Sequence, residues 1–541
     1  MKTKLLLSLF GTGLLNLGIS SVQAQITVGN HYENVNSAAI GTFQNIAFRE
    51  GGFSSLAYIP NTNGTEFWTV SDRGVNVDAA NANATATPSI KYHTCKPTYD
   101  KIYAFANYAP KIHRIKIEGN EIKILKSITI KRPNGTDATG IINPTGFGST
   151  ETEVASTNIV TDCANFDANT AQKDIWGIDS EGIDVDKDGN FWICEEGGPT
   201  IWKVNPNGVV LKRYTPYTQN QQPEDVSIDA CFSFRRNNRG FEGITVAPNG
   251  KIYAIIQSPL YYKAVSGVAG SGTLASSQIH RILEIDPTTN TTAMYAYVND
   301  GTIGTIKPKD IKIGDLRAIN NTSFLVVEQA AGTAPDDIKR MYTFDITNAT
   351  KVQSGVAYNG KTLEELNTPA ALTTNNIVPV TKTLLFDMYA KGWPVALDKA
   401  EGIAIIDKNT IAVSNDNDYG QVSPNQDGIA TATTIKSSIY LFNLAGTDAL
   451  INYVPNSNVV LNTNENKVKN TNIVLYPNPT TNYIYIQNAP LDAPYSIYDL
   501  TGKMVLKNKI DSTEYKVDLN SLTEGLYTII IENQLYKIIK N

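Results

Sequence analysis

The sequence predicts an all-β chain, a β-propeller of about six blades (five to seven) followed by a small C-terminal β-sandwich. Three observations predict it. A Glu-Gly hairpin unit recurs through the middle of the chain, and a second strand signature follows each copy. An Asn-rich stretch at 445–470 then gives way to a different short-strand pattern. With 541 residues, 41% hydrophobic and 18% charged, the chain can form a large core and an appendage.

The first 24 residues read as a signal peptide. Lys2 and Lys4 precede an apolar stretch from Leu5 to Ile19, and Val22-Gln-Ala24 is a small-residue cleavage site. The stretch is short and broken by Gly and Asn, and no other segment has the length and apolarity to span a bilayer. The net charge of −6, with no Lys/Arg block, argues against a nucleic-acid or anionic-membrane partner. Cys95, Cys163, Cys194 and Cys231 show no zinc-ligand spacing. An even number in an exported chain predicts one or two disulfides.

Residues 25–455 carry the repeat. Segments beginning Glu181-Gly-Ile-Asp-Val, Glu242-Gly-Ile-Thr-Val and Glu401-Gly-Ile-Ala-Ile superimpose without a gap. Each has an alternating strand, a polar turn and a second strand. Fifteen positions after the first Glu stands a polar residue: Glu196, Gln257 or Asp416. Looser copies run from Phe53 to Asp72 and from Gly314 to Gln329, both without the leading Glu. The second signature recurs as Ile112-His-Arg-Ile, Ile201-Trp-Lys-Val, Ile279-His-Arg-Ile, Met341-Tyr-Thr-Phe and Ile439-Tyr-Leu-Phe. Two hairpins make a four-stranded blade, and a blade buries its faces only by stacking on neighbours around an axis.

That symmetry carries the repeat to chemistry. Carboxylates converging on one mouth repel unless protons or a cation neutralise them, and Ca²⁺, bound through oxygens, is the expected cation of an exported protein. Glu181, Glu242 and Glu401 are the candidate catalytic acids, activating water at the metal they help to hold. Asp72, Glu196, Glu328 and Asp416 are the further metal ligands. Arg73 and Arg239 are the candidate substrate-binding residues, since guanidinium presents paired donors to a phosphate. Asp184-Val-Asp186-Lys-Asp188-Gly189 matches the spacing of a helical calcium loop. Its flanks are strands, so a hairpin turn is expected there.

The chain resembles the phytase-like ("esterase-like activity of phytase") family of secreted propellers between about Gly51 and Phe442. The resemblance rests on Phe67-Trp-Thr-Val-Ser-Asp-Arg-Gly74, Ser180-Glu-Gly-Ile-Asp184, Asn238-Arg-Gly-Phe-Glu-Gly-Ile244, Gly314-Asp-Leu-Arg-Ala318 and Glu401-Gly-Ile403 with Asn415-Asp-Asn-Asp418. It implies an ester hydrolase, phosphoric esters favoured, with a small-molecule substrate. A non-catalytic ligand- or surface-binding propeller with structural calcium, and a lactonase-like carboxylic ester hydrolase, are the alternatives.

Residues 456–471 read as a linker. Beyond them, Tyr476-Pro-Asn-Pro-Thr480, Tyr483-Ile-Tyr-Ile486 and Leu522-Thr-Glu-Gly-Leu-Tyr527 lie in a run of alternating short strands. Residues 472–541 resemble the sorting domain of type IX secretion cargo in Bacteroidetes. The resemblance implies passage across the outer membrane, the secretion machinery as a partner, and release or surface attachment.

Overall fold

In the computed structural model the described residues are 26–43, 46–78, 101–148, 155–156, 173–268, 271–331, 336–422, 431–432, 434–455, 473–499, 503–531 and 534–541. The expected signal peptide and linker, and Cys95 and Cys163, lie outside them. The chain divides into compact units at Met1–Val460 and Leu461–Asn541.

The described residues of the first unit form a propeller of five blades, the lower end of the expected range. Blade one comprises Ala57–Tyr58, Glu66–Val70, Lys111–Glu118 and Glu121–Thr129, from the innermost strand outward. Blade two comprises Ser180–Val185, Phe191–Glu195, Ile201–Val204 and Val210–Thr215, with Asp225–Ser227 added in parallel at its edge. Blade three is Phe241–Val246, Ile252–Ile256, Ile279–Asp286 and Thr291–Val298, and blade four is Lys312–Ala318, Ser323–Ala330, Ile338–Asp345 and Thr381–Asp387. Blade five takes Lys399–Asp407, Thr410–Asp416 and Ser438–Asn443 from late in the chain and its outermost strand, Thr27–Glu33, from the beginning. This exchange ties the two ends of the ring together. In the block from Lys131 onward the described residues form turns, isolated bridges such as Lys131 to Val209 beside blade two, and the short strand Ala155–Ser156, paired in parallel with Lys101–Tyr103.

Both faces of a blade are covered, so the inner strands are buried almost throughout rather than alternately. Five apolar layers fill the five gaps between blades. Trp68, Ile112, Phe191 and Trp202 pack between blades one and two, and Trp192, Cys194, Phe241 and Ile244 between two and three. Tyr253, Ile282, Phe324 and Phe344 lie between three and four, Leu325, Met341, Ile403 and Phe442 between four and five, and Phe53, Phe67, Ala404 and Ile439 close the ring. Cys194 and Cys231 are free thiols within one of these layers, so two bridges do not form. Asp186 holds the Asp188-Gly189 turn by accepting from the Asp188 and Asn190 amides at 3.0 and 2.9 Å, the hairpin expected of that stretch.

The glycine of each Glu-Gly pair has a packing reason. A Cβ on Gly182 would lie 3.1 Å from the Glu242 carbonyl oxygen; on Gly243, 2.5 Å from the Leu316 amide; on Gly402, 2.9 Å from the Ser55 carbonyl carbon. The innermost strands touch backbone to backbone at these points, and no side chain fits.

Arg317 lies on the axis. It donates to Leu56 O and Ile403 O at 3.0 and 2.6 Å, to Ile244 O at 2.7 Å and to Ile183 O at 2.8 Å. With its own strand in blade four, it reaches all five inner strands. Asp315 beside it accepts from Ser55 Oγ and the Ile403 amide at 3.0 and 2.8 Å.

The second unit has two sheets, Val474–Tyr476, Tyr483–Gln487 and Glu514–Asp518 against Pro494–Tyr498, Met504–Lys509, Gly525–Ile531 and Gln534–Lys540. Ile484, Ile486, Ile497, Val517, Ile529 and Ile538 form their shared core, a small β-sandwich.

Candidate functional site

Strand register shows how the repeat delivers its acids. In blades two, three and five, Ser180 pairs with Glu195, Phe241 with Ile256 and Ala400 with Asn415; the pairing then skips one residue on the inner strand. Glu181, Glu242 and Glu401 are the skipped residues. Each is therefore the extra residue of a β-bulge, the device that re-aims a side chain at a strand end. Ile313 pairs with Glu328 in blade four, and Phe53 with Ser71 in blade one. The equivalent inner positions there are Gly314 and Ser54, which explains why those copies lack the Glu.

The same register defines a second tier, one residue past each pairing on the second strand: Asp72, Glu196, Gln257, Gln329 and Asp416. Asp72, Glu196 and Asp416 are among the expected ligands. Glu328 is not in this tier and requires correction. It is one position out of phase, and successive strand residues point to opposite faces. Its Oε1 accepts from Tyr297 Oη at 2.7 Å and from Lys382 Nζ at 2.6 Å, a lysine it shares with Asp300, and its Oε2 is buried without a partner; Gln329 occupies its expected place in the tier.

Three triads of carboxylates bring one oxygen each within 4.8 Å of one another: Glu181–Glu242–Glu401, Asp72–Asp179–Glu181, and Asp72–Asp416–Asp418. The protein's own cations separate them. Lys399 Nζ sits 2.7 Å from Asp416 and 2.8 Å from Asp418, so the third triad already holds an ammonium. Arg73 pairs with Asp179 and donates to Tyr103 Oη at 2.6 Å, which partly neutralises the second. For Glu181–Glu242–Glu401 the nearest cation is Lys399, 3.9 Å from Glu401.

Charge is costly here. Burial, then neighbouring acids, holds Glu181 and Glu242 well above the usual carboxylate range. Burial likewise pushes Glu401 up to about 8 and Glu196 to about 7. Asp72 is also raised, by burial and by the charge of Asp179, while burial opposes ionisation of Asp179 but Arg73 holds it down. Glu242 Oε2, Glu401 Oε2, Glu196 Oε1, Asp179 Oδ1 and Gln257 Oε1 are buried without a hydrogen-bond partner. Such atoms are rare in folded proteins and point to an ion or water in the space they face. Oxygens on opposite sides of a Ca²⁺ lie roughly 4.6–5.2 Å apart, so this donor set fits that ion.

Of the two candidate substrate arginines, Arg73 is committed to Asp179 and Tyr103. Arg239 donates through Nη1 to Ser258 Oγ and Lys309 O, each at 3.0 Å, and lines a cavity of about 300 Å³ whose wall includes Glu401. Sequence reasoning missed Asp179, Gln257, Lys312 and Lys399. All four carried a signal: Gln257 stands fifteen positions after Glu242, and Asp179, Lys312 and Lys399 all lie two residues before the repeated Glu position.

Fold and site together define a secreted-type propeller with a buried acidic mouth. Residues 49–419 match the signature of the Phytase-like family (esterase-like activity of phytase), and the chain belongs to that family. Residues 474–541 match the secretion-system C-terminal sorting domain, so the protein is exported, to the medium or cell surface, and its tail engages the secretion machinery. No helix among the described residues is long and apolar enough to cross a membrane. An uncharacterized secreted protein of Arthroderma benhamiae is 29% identical over 26% of this chain and 31% of its own length, so the chain spans under a third of that relative. Similar solved structures include the PQQ-bound aldose sugar dehydrogenase of Streptomyces coelicolor, with 9% identity, TM-score 0.27, and 78% of this chain and 98% of that one covered. Virginiamycin B lyase of Staphylococcus aureus shows 12% identity and TM-score 0.25, over 78% and 100% of the two chains.

Proposed function

We propose that this protein is a calcium-dependent phosphoester hydrolase acting at the acidic mouth of its propeller. The observation that carries the reading is the set of buried, partnerless carboxylate oxygens around Glu181, Glu242 and Glu401. Those three residues would hold the cation, with Glu196 and Gln257 beside them. Asp72 and Asp416 belong to the flanking triads, where Arg73 and Lys399 already supply positive charge.

When bound, Ca²⁺ would supply Lewis-acid polarisation of the ester's phosphoryl oxygen. The chain's contribution is to position and to exclude. Bulge geometry fixes the three Glu side chains, and the glycines after them close the inner ring. Arg317 and Asp315 seal the axis below, so reactants enter and leave by the mouth. In the net reaction a water oxygen bonds to phosphorus, the phosphorus–oxygen bond to the alcohol breaks, and the alcohol leaves with a proton.

The test is turnover of p-nitrophenyl phosphate by the full chain with calcium and after chelation, beside p-nitrophenyl acetate and phytate. Calcium-dependent phosphate release, abolished in Glu242→Gln, is expected. Preference for the acetate would select the lactonase-like alternative. Calcium binding without turnover of any ester would select the non-catalytic propeller.

A further inference from the structure

The acids are not spread evenly around the mouth. Two residues before the repeated Glu position stand Asp179 in blade two and Gly240 in blade three, but Lys312 in blade four and Lys399 in blade five. Blade four adds a second lysine by register: Lys312 pairs with Gln329 and Gln329 with Lys339 on three adjacent strands. Directly paired residues share a sheet face, so Lys312, Gln329 and Lys339 form one row, and all three line the 300 Å³ cavity beside Glu401.

Two of these ammonium groups are only weakly matched: Lys312 is half-buried, and Lys339 Nζ lies 5.4 Å from the centre of the Tyr389 ring. Lys339 is 2% exposed, and the nearest carboxylate is Asp398 at 3.9 Å, itself a solvent-facing side chain. Lys312 makes no ion pair among the described residues, although its charge acts on Glu196, Glu242 and Glu401. Lys399 differs, being already matched by Asp416 and Asp418. The remaining acid on the cavity wall, Asp310, pairs with Lys309 at 2.6 Å. A half-buried ammonium with no ion pair, beside a buried one with only a long ion pair, leaves the row with positive charge to spare, which suits an anion.

We infer that blades four and five carry an anion-receiving pocket beside the acid triad. Lys312 and Lys339 grip the ligand, Arg239 stands at the rim, and the preferred occupant is the dianionic phosphate of a monoester. This rests on the calcium reading above, deepens it, and supplies the anion grip that Arg73, bound to Asp179, does not. Charge unpaired at Lys312 and only weakly offset at Lys339 favours a dianion over a carboxylate, which would engage one of them alone. The volume is that of roughly ten waters, room for a phosphate and the first atoms of its alcohol.

The experiment is calorimetry on the full chain, with calcium alone and then with inorganic phosphate or acetate at saturating calcium. Wild type should bind calcium, and should bind phosphate at least tenfold more tightly than acetate. Lys312→Met and Lys339→Met should each weaken phosphate roughly tenfold while calcium still binds, and Lys312→Arg should restore most of the loss. Thermal melting verifies that each variant is folded, and Lys312→Gln or Lys339→Gln stands in if the corresponding Met variant is not. Failure of wild type to bind calcium would overturn the calcium reading. Calcium binding accompanied by phosphate affinity indifferent to both lysines, or equal to that of acetate, would overturn the anion pocket alone.

Discussion

Two clusters of buried charge lie on the same axis and have opposite character. At the seal, Arg317 finds carbonyl oxygens from four other blades and the carboxylate of its own. Asp315 accepts from Ser55 and from the Ile403 and Leu316 amides. Burial still pushes Asp315 up to about 7, and Arg317 borders a cavity of about 290 Å³, yet neither residue leaves a buried polar atom without a partner. At the mouth, burial is as deep, yet Glu242, Glu401 and Glu196 each leave an oxygen without a partner. The seal is complete without a ligand, whereas the mouth is finished only by one. Burial alone therefore does not tell these two clusters apart; hydrogen-bond satisfaction does.

The sharpest way to break this comparison is at the seal. Arg317→Met should cost on the order of 3–5 kcal/mol, because several carbonyls and Asp315 lose their shared partner at once. Urea unfolding measures it, and a loss below about 1 kcal/mol would show that the axis holds without this arginine. At the mouth, Glu242→Gln should lower calcium affinity roughly 100-fold, about 2.7 kcal/mol, by removing one of three charged donors. The same substitution should raise the melting temperature of chelated protein, since it removes a charge that the fold strains to bury. A fall in both would place Glu242 with the structural cluster.

pH sharpens the contrast further. Glu196 and Glu401 ionise higher in the folded chain than when unfolded, so their contribution is fully present below the ordinary carboxylate range. It is lost as pH rises through about 7 and about 8. Chelated protein should therefore lose stability between pH 5 and 9, with a slope of about 1.4 kcal/mol per pH unit for each proton the folded state retains. Saturating calcium should flatten or reverse the slope, and a flat profile without calcium would contradict the assignment. The smallest effect is expected at Glu328. Glu328→Gln should leave calcium affinity within about twofold and cost roughly 1–2 kcal/mol by weakening the contacts to Lys382 and Tyr297.

What could be read from sequence is what repetition encodes. Glu181, Glu242 and Glu401, with Glu196 and Asp416 fifteen positions on, are recognisable because each blade repeats one local solution, a bulged strand and its hairpin partner. Asp179 and Lys312 were less visible, being marked only by a fixed offset from a position where not every blade carries Glu. Glu328 was misplaced because blade four lacks that Glu, and a shift of one residue along a strand reverses the face.

The sequence by itself determined the strands, their pairing within each hairpin, the sandwich-forming tail and the acids that recur in the repeat, all through local periodicity. Closure at five blades, the exchange of Thr27–Glu33 into the last blade, the seal by Arg317 and the division of the mouth into acidic and lysine-bearing halves were decided by tertiary structure. Each of these depends on residues far apart in the chain meeting around a common axis, and local patterning carries no record of which blades become neighbours.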